Sequence, residues 1–285
     1  MTTVQPATAP LSPRPFELGL RAACLATALV AMLPGLELLS WIWDRSEYLA
    51  HGYFIPCVSG ALVYMRRAEI LDALRQGPVP LSGPLWVAAA ALFESAAVLG
   101  EISTAAGVGI PLMLAATAYA VGGRLLLGRL GVPILLLVLM VPPPGFVQDR
   151  MLIELKSVVM QVSVRVLQML GYTVSSIGNR ILIPGHDLFV AHACSGLTSI
   201  VTLSPLAVVV AYFMSRGVWR RAVVLASIVP FAVFGNILRV TVTVALVSSY
   251  GGEMAEGLLH ESFGIFTFVA GTLLLIGVAR GLERW

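Results

Sequence analysis

Residues 189–213 read FVAHACSGLTSIVTLSPLAVVVAYF. A histidine-bearing stretch gives way at Cys194-Ser195-Gly196 to a run without a single charge. Its apolar part, 195–214, has the roughly 20 residues that a helix needs to cross the hydrocarbon core of a bilayer. The same kind of run recurs from end to end. Of 285 residues, 58% are hydrophobic and 12% charged, and the mean hydropathy is +0.90. Soluble domains carry about one quarter charged residues, so this chain lacks the polar surface to face water on all sides. With the bilayer as solvent, helices satisfy their own backbone groups. The sequence predicts an all-α polytopic membrane protein.

Apolar runs at 18–40, 52–65, 84–100, 103–122, 131–147, 195–214, 222–248 and 260–280 predict about eight transmembrane helices. Residues 1–15, rich in Pro, Thr and Ser, read as a disordered tail, which leaves 16–285 as one transmembrane domain. The first run is too long for a signal-peptide core and reads as an uncleaved anchor. Between the fifth and sixth runs, Asp149, Arg150, Glu154, Lys156 and Arg165 interrupt an apolar helical pattern. That pattern predicts an amphipathic helix over 148–172, lying at the interface or packed beside the bundle. NRILIPGHDLFVAHA (179–193) reads as a short periplasmic β-hairpin, with Pro184, Gly185, His186 and Asp187 at its turn. If both termini are cytoplasmic, 12 of the 18 lysines and arginines lie inside, 5 outside, and Arg239 within a span. The positive-inside rule supports that orientation, in the inner membrane and with Cys194 toward the periplasm.

Several classes are excluded. Lys156 is the only lysine, and the arginines are scattered at helix ends, which is no nucleic-acid footprint and no P-loop. Cys24, Cys57 and Cys194 form neither a disulfide framework nor a metal-ligand spacing. His186, His192 and His260 lack any HExxH or CxxC context. No metal and no cofactor are expected. Glu94 and Glu101, seven apart, could line a cavity or bind a cation; a structural role is the stronger reading.

The remaining chemistry gathers toward one side. Cys194 falls at the outer end of the sixth run and His260 at the outer start of the eighth. Arg239 lies in the seventh, with Asn236 one turn earlier. A thiol at a helix N-terminus is drawn toward the thiolate by exposed N–H groups. Histidine can take its proton and return it to a leaving amine. Arginine forks two N–H donors toward one oxygen and can hold a tetrahedral oxyanion. The three suit acyl transfer. His192, two residues before Cys194 on a strand, competes with His260 as base. Cys24 and Cys57 read as structural.

These residues carry a resemblance. "AHGYFIP" (with His51), "PILLLVLMVPPPGF", "GNRILIPGHDLFVAHACSGLTSI" (with His192, Cys194 and Ser195), "NILRVT" and "HESFG" resemble, in order, the motifs of the exosortase/archaeosortase family of membrane cysteine transpeptidases. The likeness covers about 40 to 280. It implies Cys194 as nucleophile, Arg239 as essential arginine and His260 as essential histidine. The position two before the cysteine is commonly acidic in that family and is His192 here. The implied substrate is a secreted protein ending in a Pro-containing motif, a transmembrane helix and an Arg-rich tail, as in PEP-CTERM proteins. Water, a glycan or a lipid would be the acceptor, and a link to exopolysaccharide export follows. The alternative from another class is a non-enzymatic transporter or polysaccharide-assembly subunit that binds an anion through Arg239.

Overall fold

The computed structural model describes residues 15–46, 49–178, 180–184, 186–189, 197–251 and 258–284. For 186–189, 258–261 and 263 only the backbone is described. The tail expected at 1–15 lies outside the described residues except for Pro15, which opens a helix. The chain divides into two compact units: residues up to Ile42 with Gly52–Pro142, and Trp43–His51 with Pro143–Trp285.

The first unit holds α1 (Pro15–Arg45, whose last turn belongs to the second unit), α2 (Phe54–Met65), α3 (Arg67–Gln76), α4 (Gly83–Leu99) and α5 (Ser103–Leu136). A 3-10 turn, Leu137–Met140, extends α5. Helix α5 is not straight. Gly123 has φ +63° and ψ −160°, a backbone that only glycine adopts without strain. At 1.5 Å per residue, a straight helix would hold residues 107 and 141 about 50 Å apart. Instead Gly107 packs on Val141 and Pro142. The chain therefore turns back at Gly122–Gly123, and the two arms lie side by side.

Small residues let these helices meet. Cys24, Ala28, Val87, Ala90, Met113 and Ala120 form the buried contact of α1, α4 and α5. Arg21 on α1 donates to Leu74 O (3.3 Å) and Gly77 O (3.4 Å), capping the C-terminus of α3. Glu94 is fully buried, and its carboxylate oxygens press against Gly35 of α1 and Gly109 of α5. Neither oxygen has a hydrogen-bond partner among the described residues. The carboxylate thus sits inside a three-helix contact.

A backbone approach this close makes a prediction. A Cβ on Gly83 would stand 2.6 Å from Ala120 Cα and 2.8 Å from its Cβ, and one on Gly77 would overlap the Gly122 carbonyl. Backbone cannot step aside as a side chain can. Gly83→Ala and Gly77→Ala should each destabilise the protein by about 1–3 kcal/mol, read as a lower melting temperature in detergent. Gly128→Ala, which meets nothing within 4 Å, should be neutral or slightly stabilising. Equal melting of Gly83→Ala and Gly128→Ala would contradict this packing.

The second unit begins with α6 (Gly145–Met169), followed by β1 (Ser175–Ile177), β2 (Arg180–Ile183) and β3 (His186–Phe189). Then come α7 (Leu197–Met214), α8 (Val218–Ala226), α9 (Ile228–Tyr250) and α10 (Leu258–Glu283). Helix α6 takes the second of the two expected arrangements. Its stripe of Val159, Met160, Val164 and Leu167 packs on Val240, Val244 and Val247 of α9, and Ser163 Oγ donates to Ile237 O (3.3 Å).

One expectation needs correction. The hairpin is a three-stranded antiparallel sheet in the order β1-β2-β3. Its β2–β3 loop is Pro184-Gly185; His186 and Asp187, expected at the turn, pair with Ile183 and Leu182 within β3. Strand β1, in SSI, is too short to show an alternating pattern and exists through pairing with β2. The expected count of eight spans is not confirmed among the described residues. By length and composition, five described stretches could cross a membrane: Pro15–Arg45, Ser103–Met140, Leu197–Met214, Val218–Tyr250 and Gly264–Glu283. Gly83–Leu99 is a shorter apolar helix. Helix α2 has 12 residues, about 18 Å of rise against a core of about 30 Å. The expected fourth and fifth spans are the two arms of α5.

Candidate functional site

The three helices that carry or follow the candidate residues pack on one another: α7 on α9, and α10 on both. Printed side-chain contacts set their directions. Leu203 would touch a Cβ on Gly271 at 3.1 Å. Just beyond α7, Arg216 N donates to Glu283 Oε1 (2.6 Å) at the end of α10. Helices α7 and α10 therefore run parallel. Arg220 of α8 pairs with the same Glu283 (3.4 Å), and Gly235 of α9 faces Thr267, whose Cβ would be 3.5 Å from an added methyl. So α8 and α9 run antiparallel to α10.

Equal helical rise then gives levels. Arg239 lies one turn beyond Gly235, which places it level with position 263 of α10. His260 is three residues further along. Leu197, the first residue of α7, stands level with positions 265 and 237. The start of α7, Arg239 and the first turn of α10 thus share one end of the three-helix layer, within about 8 Å along its axis. The hydrogen bond and ion pair of Glu283 mark the other end.

Individual residues fall as follows. Asn236 is 2% exposed, and Arg239 is half-buried in mid-α9. His260 belongs to the first turn of α10, described there by its backbone. His192, Cys194 and Ser195 lie outside the described residues; Leu197 follows Cys194 by three positions. His51 is buried in a 3-10 turn, Ala50–Tyr53, and belongs by its contacts to the second unit, with α9. Of the other cysteines, Cys24 is buried in the α1 contact and Cys57 is exposed, its Sγ bonded to Tyr53 O at 3.6 Å.

Two further polar groups lie on helices that pack on α9. Lys156, noted in the sequence only as a break in α6, is 3% exposed on the helix that packs on α9. Thr198, in the first turn of α7, has a buried hydroxyl without a hydrogen-bond partner among the described residues. Their helical phase alone could not reveal this, because burial depends on which neighbour covers each face.

Comparison with known proteins decides the family. The chain matches the family described as Transmembrane exosortase (Exosortase_EpsH) over residues 43–277. It belongs to that family. At family level, membership implies a sorting-signal processing transpeptidase embedded in the membrane, and the apolar helices make this exosortase a multi-pass membrane protein. No curated protein and no solved structure matches the chain. The match begins at Trp43, where the chain enters the second unit, and runs into α10.

Proposed function

We propose that this exosortase is a cysteine peptidase and transpeptidase of the bacterial inner membrane, working on its periplasmic side. It cuts the C-terminal sorting signal of secreted proteins. The observation that carries this reading is the family match over 43–277, within which Cys194, Arg239 and His260 each stand in a family-like motif. The common level of the α7 start, Arg239 and the first turn of α10 is compatible with it. The eight-crossing topology remains part of the proposal, counting as crossings the two arms of α5, the short α4 and, with the residues that flank its 12-residue helix, α2. So does a single catalytic domain over 16–285.

In the proposed reaction, His260 takes the proton of the Cys194 thiol, and the thiolate attacks the scissile carbonyl. A C–S bond forms and the carbonyl π-electrons move to oxygen, held by the Arg239 guanidinium. Collapse of this tetrahedral adduct breaks the C–N bond, and His260 protonates the departing amine. The thioester then passes its acyl group to water or to a nucleophilic glycan or lipid, whose proton goes to His260 and then to the released Cys194 sulfur. Asn236, Ser195, His192 and His51 support this chemistry or line the substrate path. The substrate enters laterally from the bilayer by its own tail helix.

Which histidine acts as base is decided by one comparison. His260→Ala should lower processing of a tail-bearing reporter by about 10²–10⁴-fold, and His192→Ala by far less. A loss confined to His192→Ala would move the base to the segment before Cys194. If neither histidine matters and the reporter is left intact by wild-type enzyme, the peptidase reading itself fails.

A further inference from the structure

Glu94 is an acid that no step of the proposed reaction uses, and it is fully buried on α4. Two glycines make room for it. A Cβ on Gly35 of α1 would overlap Glu94 Oε1, and a Cβ on Gly109 of α5 would overlap Oε2. Each carboxyl oxygen thus fills the place of a missing side chain on a different neighbouring helix. Neither has a hydrogen-bond partner among the described residues. The Ala106 carbonyl oxygen faces the same spot on Gly35, 3.8 Å from a Cβ placed there.

That setting decides which form of the side chain fits. A carboxylate carries a full charge, and an apolar interior accepts one only with a partner. The charges near this contact have the wrong sign. Within seven residues of Gly35, α1 brings only Glu37, which is exposed. Within seven of Glu94, α4 and the turn after it bring only Glu101, also exposed. Within seven of Gly109, α5 brings no charge, and neither do residues 137–142, which include the pair that covers Gly107. The nearest arginines of α1 and α5 are Arg21, Arg45 and Arg124, each ten or more residues away, about 15 Å of helix or more. Arg21 is already engaged on the carbonyls of Leu74 and Gly77. A carboxylate would therefore meet a carbonyl oxygen and further acids, with no cation at hand. The uncharged acid meets no such conflict, and its O–H is a donor where a carbonyl oxygen lies close.

We infer that the α1–α4–α5 contact is a proton-dependent lock: the three helices close on Glu94 as the uncharged acid, and its ionisation drives them apart. The proton passes to water when the contact opens. While the contact is closed, the folded chain holds a proton that glutamate in the unfolded chain has released. Stability therefore falls as pH rises.

The test follows the full chain in detergent micelles from pH about 5 to pH about 9, a range in which an ordinary glutamate is ionised. Wild type and Glu94→Gln, which keeps the shape without the charge, are melted side by side at each pH. The folding constant of wild type should fall relative to that of Glu94→Gln by up to about tenfold per pH unit. Infrared spectra at pH about 7 should show in wild type the C=O stretch of a protonated carboxylic acid, a state that ordinary carboxyls have left by then. That band should be absent from Glu94→Gln. Glu94→Met, uncharged and of similar length, should behave as Glu94→Gln does, and the pH comparison stands on whichever of the two folds. A gap between wild type and variant that stays constant over the whole range overturns the inference. So does a wild type without the protonated band, and so does loss of the fold in both variants, which would show that the contact needs the charge.

Discussion

Cys194→Ala abolishes processing of a tail-bearing substrate, with a loss of about 10⁴-fold or more, while the protein still inserts and melts normally: that is the largest effect expected. Removing a nucleophile takes away the covalent path, and whatever catalysis is left comes from binding and oxyanion stabilisation alone. Cys194→Ser should be nearly as inactive, because a serine hydroxyl is a far weaker nucleophile than a thiolate at neutral pH. The other two thiols are internal controls. Cys24 is 4% exposed in the α1–α4–α5 contact, and Cys57 is exposed on α2. Cys57→Ala should leave rate and stability unchanged, and Cys24→Ala should change stability only slightly. Processing is read by the mobility shift of the reporter. Full activity of Cys194→Ala beside an inactive Cys57→Ala or Cys24→Ala would remove the cysteine-transferase reading.

The second largest effect is expected at Arg239. Arg239→Lys should lower kcat almost as far as Arg239→Ala, by about 10²–10³-fold. Lysine preserves the charge but replaces a planar fork of donors with a shorter, rotating ammonium. Geometry adds a reason. Arg239 is half-buried in mid-α9, and its neighbour Asn236 is 2% exposed, so a shorter side chain has little freedom to recover the missing reach. Asn236→Ala should cost less, since Asn236 is proposed to orient Arg239 or the substrate backbone. The measurement is kcat and KM for the same reporter. If Arg239→Lys keeps most of the activity, the residue supplies a counter-charge and not an oriented pair of donors.

Much of this enzyme could be read before any coordinates. Hydropathy alone announced a helical membrane protein, because a chain with so few charges has no other solvent. Cys194, Arg239 and His260 stood out for the opposite reason: reactive groups in apolar surroundings are costly, so each demanded an account. The order of their motifs matched a family that the comparison of residues 43–277 then established. The β2–β3 pair was legible from a Pro-Gly turn between apolar strands, although the turn is tighter than expected.

Other features belong to the tertiary structure. Glycines 122 and 123 could have ended one span, linked two or lain within one; only the packing of Gly107 on Val141 and Pro142 shows that the chain folds back there. Strand β1 is three residues with no pattern of their own and needs β2 to define it. Helix α6 was open between an interfacial and a packed position, and the stripe facing α9 decides it. Composition and periodicity are properties of a local stretch, so the sequence by itself determined the solvent and the element type, and it supplied the candidate residues that the proposal rests on. Which faces meet and which helix ends share a level depend on contacts between distant stretches, and only the folded chain holds those.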